Sequence, residues 1–168
     1  KQMVSPKVLD LNDEVEKMIK MLQRIIGENV RLEWRPAANL WWIKIDPSQI
    51  DQILANLCVN ARDAISGVGQ LKVATGNVTF DEYYCLDRIE FVPGEYVILS
   101  DSDRGCGISK EILDNLFEPF FTTKGQAEGT GLGLATIYGI VKQNNGCIDV
   151  HSEVGRGSTF EIYLPRFE

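Results

Sequence analysis

Apolar residues recur at helical spacing over residues 11–26, where Val15, Met18, Ile19, Leu22, Ile25 and Ile26 fall on one face. Asn12 is placed to cap this helix, Asp13 and Glu14 occupy its first turn, and Gly27 stops it. The pattern then changes to alternation at residues 30–34, a first strand, and residues 41–45 read as a second. Asp46-Pro47-Ser48-Gln49 opens a second helix, with Asp46 as cap, Pro47 at the first helical position and Gln49 at capping-box spacing. That helix runs to about residue 65 and stops at Gly67. Residues 70–80 and 95–100 read as strands, with an excursion or loop over 81–93 between them. A short helix is expected at 109–117, a loop at 118–129, and a third long helix from near Gly131 to Asn145-Gly146. Strands at 148–150 and 159–164 flank Gly155-Arg156-Gly157 and form a hairpin. Strands and helices mix without strict alternation, which predicts an α+β fold: a two-layer sandwich, one sheet covered on one face by helices.

Composition narrows the class. A chain of 168 residues is most simply one domain, here residues 1–168, able to bury roughly 70% of its unfolded surface. With 24 acidic against 17 basic side chains the net charge is -7, which argues against nucleic acid as a partner because phosphate neutralisation needs clustered Lys and Arg. The one histidine, His151, excludes a two-histidine metal site. Cys58, Cys85, Cys106 and Cys147 form no C-x-x-C pair, and scattered thiols fit a reducing compartment. There is no apolar run of membrane-spanning length and no signal-peptide core. The expectation is a cytoplasmic domain without direct membrane contact, any spans of the native protein lying outside this chain.

Three features carry candidate chemistry. On the second helix Ile50, Ile53, Leu54, Leu57, Cys58, Ala61, Ala64 and Ile65 form a core stripe, and Asn56, Asn60 and Asp63 line one margin of it at spacings of four and three. Such oxygens suit a hard cation like magnesium with substrate phosphates completing its shell, although ordinary polar residues at a helix margin would look the same. The strand entering Asp103-Arg104-Gly105-Cys106-Gly107 ends on an aspartate able to accept a hydrogen bond from an exocyclic amine, with glycines allowing close approach of a flat ligand. A plain turn is the alternative. Gly129-Thr130-Gly131-Leu132-Gly133-Leu134-Ala135 leads into a helix and exposes backbone N–H groups to an anion, or else acts as a hinge. It matches neither the dinucleotide fingerprint nor a P-loop nor a protein-kinase glycine loop. Between these lies Phe117-Glu118-Pro119-Phe120-Phe121-Thr122-Thr123-Lys124, read as a lid anchored by aromatics with Lys124 near the phosphates, or as simple core packing.

Taken in order, these segments resemble the asparagine box (56–64), first glycine box (103–108), phenylalanine box (117–124) and second glycine box (129–134) of sensor histidine kinases. Gly155-x-Gly157-Ser158-Thr159-Phe160 resembles the terminal glycine–threonine turn. The likeness covers residues 8–165, and the N-A-R-D-A and F-F-T-T-K variants are similar to the nitrogen-regulation type. The resemblance implies the ATP-binding catalytic domain shared with gyrase, heat-shock chaperone and mismatch-repair ATPases, a mixed sheet with three main helices on one face. It implies ATP and magnesium as cofactors, Asn60 on the metal, and Asn56 and Asp63 beside it or the phosphates. It further implies Asp103 on the adenine amine with Gly105 and Gly107 beside the ring, and Thr159 joining Asp103 there. Gly129, Thr130, Gly131, Leu132 and Gly133 would meet phosphate, and Lys124 would contact it. The expected activity is transfer of the γ-phosphoryl group to a histidine of a separate dimerisation domain, with a response regulator receiver as the next partner. That dimerisation domain is expected upstream of Lys1, no catalytic residue is assigned within this chain, and the isolated domain is expected to be a monomer inactive in autophosphorylation.

Two positions depart from the family pattern. Asp101 stands where an apolar residue is usual and Arg104 where threonine is common, and they are close enough to pair with each other, or Arg104 could reach a ligand. Competing readings are a nucleotide sensor without kinase output, an autonomous ATPase or chaperone of the same superfamily, and a serine kinase of the anti-sigma type. His151 reads as a sheet histidine, since a phosphoacceptor belongs on an exposed helix beside an acidic residue.

Overall fold

The helix-spaced residues of 11–26 form α1 (Leu11–Ile26), preceded by a short strand β1 (Lys7–Leu9) that the pattern did not announce. The structure, a computed structural model, describes residues 3–88, 90–114 and 133–168. Along it follow β2 (Val30–Arg35), β3 (Ile43–Ile45), α2 (Pro47–Ala64), β4 (Gly69–Phe80), α3 (Glu82–Cys85), β5 (Gly94–Asp103), α4 (Lys110–Leu113), α5 (Gly133–Gln143), β6 (Cys147–Glu153) and β7 (Gly157–Pro165). The expected loop at 118–129 and the start of the third helix near Gly131 lie outside the described residues, as does the end of the expected helix at 109–117.

The main sheet runs β2-β4-β5-β7-β6, with β2 parallel to β4 and the remaining neighbours antiparallel. β3 does not join it. It pairs antiparallel with β1 in a separate two-stranded ribbon, Lys7 opposite Ile45 and Leu9 opposite Ile43. Asp46 strengthens that ribbon by accepting from the Ser5 N–H (2.9 Å) while also capping α2 through the Ser48 N–H (2.9 Å). These hydrogen bonds, Ser5 first, hold its carboxyl below the usual range.

α1, α2 and α5 pack on one face of the sheet, as expected of the two-layer α+β fold. Leu11, Val15, Leu22, Ile50, Ile53, Leu57 and Ile137 from the helices meet Leu71, Val73, Val97, Leu99, Phe160 and Ile162 from alternate positions of the strands. The other face carries a smaller cluster of Phe80, Tyr96, Cys147 and Tyr163, covered by Tyr84 and Phe91 of the 81–93 excursion. Phe80 stacks on Tyr84 at 4.5 Å between ring centroids.

Two capping expectations change. Asp10, not Asn12, caps α1, its side chain accepting from the Asn12 N–H at 2.9 Å. Asn12 is one residue inside the helix and instead reaches the Ala37 carbonyl (2.9 Å) and the Thr75 hydroxyl (2.7 Å), tying α1 to β4. Gln49 has capping-box spacing but does not fold back on Asp46. Its amide meets the Gln143 and Asn144 side chains at 3.2 and 3.1 Å, linking α2 to the end of α5.

The glycines of the 103–108 turn are set by neighbouring backbone. A Cβ on Gly105 would sit 2.6 Å from the Ala64 carbonyl oxygen, and Cys106 donates its N–H to that same carbonyl at 3.0 Å. Gly107 has φ +77°, and a Cβ there would lie 2.1 Å from the Glu153 carbonyl oxygen. We expect Gly107→Ala to destabilise the domain by about 1–3 kcal/mol from the left-handed backbone alone, with the clash adding to it, read as a lower urea midpoint with an unchanged slope.

Candidate functional site

Three elements converge at one end of the helix–sheet interface: the C-terminal half of α2, the end of β5, and the first turn of α5. Burial of Ile53, Leu54, Leu57, Cys58 and Ala61 fixes how α2 is rotated, and so sets Asn56 and Asn60 along its margin. Asn56 donates from Nδ2 to the Gly133 carbonyl of α5 at 3.4 Å. Asn60, one turn on, has a buried Nδ2 with no hydrogen-bond partner. An unpaired buried amide is costly, and here it fits a group bringing both an acceptor for Nδ2 and a cation for the side-chain oxygen, as metal-bound phosphate does. Asp63 lies further round, exposed, with Arg62 Nε 3.4 Å from its carboxylate.

Asp103 closes β5 on the helix-covered face and is largely buried. Its Oδ1 accepts from the Gly105 N–H at 2.7 Å, which aims the carboxylate. Burial pushes its pKa up, and backbone hydrogen bonds from Gly105 and Ser158 offset part of that rise. Gly157 (φ +108°) lies so close that a Cβ would meet the Asp103 carbonyl oxygen at 2.1 Å.

The alternation of β7 places one expected site residue, Thr159, apart from Asp103. Ser158, not Thr159, is the register partner of Asp103, whereas Thr159 pairs with Ser102 and His151. The Thr159 hydroxyl accordingly meets the Ser102 hydroxyl at 2.8 Å, on the opposite face of the sheet from Asp103. From its motif alone Ser158 reads only as part of a turn. Counting back in twos from the core residue Phe160 places Ser158 inward and Thr159 outward, a signal present in the sequence. Its hydroxyl lies 2.7 Å from that of Ser152, which accepts from the Ile108 N–H at 2.7 Å, so a serine pair braces the first glycine turn. Lys124, Gly129, Thr130, Gly131 and Leu132 lie outside the described residues, as does the Phe117–Lys124 segment, while Gly133 opens α5 beside Asn56.

Asp101 and Arg104 do not pair. Arg104 is exposed, and Asp101 points into the core, 2% exposed, with an Oδ2 that has no hydrogen-bond partner. Burial first, and then the negative charge of Asp103, push the Asp101 pKa up to about 8. Its neighbour Cys58 is likewise pushed above the ordinary thiol range by burial and by Asp101.

Residues 45–168 match the family described as histidine kinase-, DNA gyrase B- and HSP90-like ATPases. The chain belongs to this ATPase family. Within it, the chain is similar to the sensor kinase CckA of Brucella abortus, 42% identical over 166 residues covering 99% of this chain and 18% of that protein. It is also 36% identical to the sensor histidine kinase ZraS of Escherichia coli, over 95% of this chain and 31% of that protein. The chain thus spans less than a third of the length of these curated relatives. The fold of this ATPase family recurs in a mycobacterial sensor histidine kinase, MprB, with a TM-score of 0.73 at 20% identity over 98% of both chains. It recurs also in full-length ShkA in complex with AMPPNP, with a TM-score of 0.76 at 22% identity over 98% of this chain and 32% of that one. The domain is therefore an ATP-binding catalytic domain related to those of sensor histidine kinases.

Asp101 makes a testable pH effect. In the unfolded chain it ionises near 3.8, and in the folded domain it keeps its proton to about 8, so the folded state binds the extra proton between those values. Its contribution to stability is greatest below 3.8 and is lost as pH rises to about 8. Replacing it by valine, Asp101→Val, should raise stability at pH 7 by about 1–3 kcal/mol and flatten the decline between pH 5 and 8, measured by thermal melting across that range.

Proposed function

We infer that this domain binds Mg-ATP and supplies the γ-phosphoryl group to a histidine carried by a separate helical dimerisation domain of the same protein. The observation that carries the reading is the unpaired buried amide of Asn60, one turn along α2 from Asn56, which bonds Gly133 of α5. Asp103, with its carboxylate aimed by Gly105, supports the adenine end. In this reading Asp103 accepts from the exocyclic amine, and Ser158 rather than Thr159 steadies that carboxylate. Asn60 offers its side-chain oxygen to magnesium and Asn56 holds α5 in place. Gly129, Thr130, Gly131, Leu132 and Gly133 present N–H groups to the phosphates, with Lys124 as a phosphate contact. When bound, magnesium would neutralise phosphate charge that a chain of net charge -7 cannot meet with its overall field.

The protein residues position and polarise rather than react. The chain is assigned no covalent role, so the γ-phosphoryl group passes from ATP to a histidine ring nitrogen and ADP leaves. A receiver domain would take the phosphoryl group onward. We place the domain in the cytoplasm, whether the parent protein is soluble or membrane-anchored. No described helix is long and apolar enough to cross a membrane.

Calorimetry with a non-hydrolysable ATP analogue tests the site. Asp103→Ala should weaken binding by about 10–100-fold, the worth of a hydrogen bond to a charged group, and unchanged affinity would remove the adenine assignment. Asn60→Ala should abolish the gain in affinity on adding magnesium. Ser158→Val keeps the backbone hydrogen bond to Asp103 but removes the hydroxyl paired with Ser152, and should weaken binding by roughly 5–10-fold while Thr159→Val leaves it within twofold; the reverse order would restore Thr159 to the site. Mixing the domain with a histidine-bearing dimerisation domain and labelled ATP should yield phosphohistidine. ATP binding without phosphohistidine would instead identify a nucleotide sensor.

A further inference from the structure

On the face of the sheet away from the helices, β6 and β7 place two carboxylates directly opposite one another: Asp149 is the register partner of Glu161. Like charges so placed repel across the strands. Among the described residues no lysine or arginine forms an ion pair with either. The register row above them runs Lys72, Ser102, Thr159, His151, so strand β5 separates its lysine from Glu161, and β5 and β7 separate it from Asp149. What does face them is the imidazole of His151, two residues along β6 from Asp149 and on the same side.

The geometry is compact. His151 Nε2 lies 2.8 Å from Glu161 Oε1 and 3.4 Å from Asp149 Oδ2. One ligand atom from each of the three residues lies within 4.8 Å of the others. A tetrahedral ion with bonds of 2.0–2.2 Å holds its ligand atoms about 3.4 Å apart. The Tyr163 hydroxyl donates to Glu161 Oε1 at 3.3 Å, an outer partner that orients the carboxylate. The three side chains are carried on paired strands rather than on a loop, and the imidazole is mostly exposed, so an ion can enter without local opening.

We propose that Asp149, His151 and Glu161 form a binding site for one divalent transition-metal ion of the zinc, cobalt or nickel class, with the remaining coordination positions open to water. One imidazole and two carboxylates suit these ions and not the magnesium site of the nucleotide pocket, which is built of amide oxygens on the other face of the sheet. The bound ion removes the Asp149–Glu161 repulsion and clamps the edge strand β6 to β7. This site is independent of the nucleotide reading and stands or falls without it.

His151 is the only histidine of the chain, so its ring protons are directly identifiable by NMR. Titrating the nucleotide-free domain with zinc chloride should shift those signals to saturation at one equivalent, and calorimetry should give the same stoichiometry. Metal at 100 times its Kd should raise the melting temperature by roughly 5–10 °C. His151→Ala and Glu161→Gln should each weaken binding at least tenfold, with melting in EDTA confirming that the variants fold. Cys106→Ser, which removes the exposed thiol, should leave binding unchanged. Histidine signals that do not move, or affinity that survives His151→Ala, would overturn the proposal. So would loss of binding in Cys106→Ser.

Discussion

Close backbone approach at three glycines is the constraint on which the candidate site depends. Gly105 lies against the last carbonyls of α2, Gly107 against the end of β6, and Gly157 against the carbonyl of Asp103 itself. Three segments distant in sequence, the end of α2, the turn after β5 and the β6–β7 hairpin, therefore meet without side chains between them. The carboxylate of Asp103 and the asparagine margin of α2 are held in one frame because the turn that joins them is pinned to both. A methyl group at any of these positions would push the frame open, so these glycines act first on the protein's own backbone, whatever approach they also allow to a flat ligand.

Polar groups inside the helix–sheet layer mark where stability is given up. Asn60 and Asp101 each leave a buried polar atom unpartnered, but in different settings. Asn60 lies at the margin of α2, one turn from the Asn56 contact with α5, where a ligand can complete its hydrogen bonds. Asp101 lies behind Asp103, closed off on all sides, and remains neutral first because burial disfavours its charged form and then because ionising it would place a second negative charge beside Asp103. The sheet's outer face has a different character: an aromatic cluster that adjoins, through Tyr163, an acidic pair with one imidazole.

Much of this was legible in order and spacing. The helix periods of α1 and α2, the Asp46-Pro47 start and the β6–β7 hairpin follow from local chemistry. Asn56, Asn60 and Asp103 are recognisable because their motifs occur together in one order. Residues whose roles are non-local were misread. Asn12 and Gln49 have good capping residue types, yet each serves a contact across the fold, because the neighbouring strand or helix offers a partner that the helix end does not. β1 is three residues long and gains its identity only by pairing with β3. Ser158 and Thr159 are chemically alike, and only the pleat assigns one to each face.

The sequence by itself determined the family, the types of the long elements and the chemical kinds of residue at the site, because these depend on spacing along the chain and on glycine placement. Only the tertiary structure decided which side of the sheet each polar residue serves. It put Thr159 outward and Ser158 inward, buried Asp101 instead of pairing it with Arg104, and set Asp149, His151 and Glu161 side by side. Those outcomes depend on strand register and on which face the helices cover, and neither is a property of any local stretch of chain.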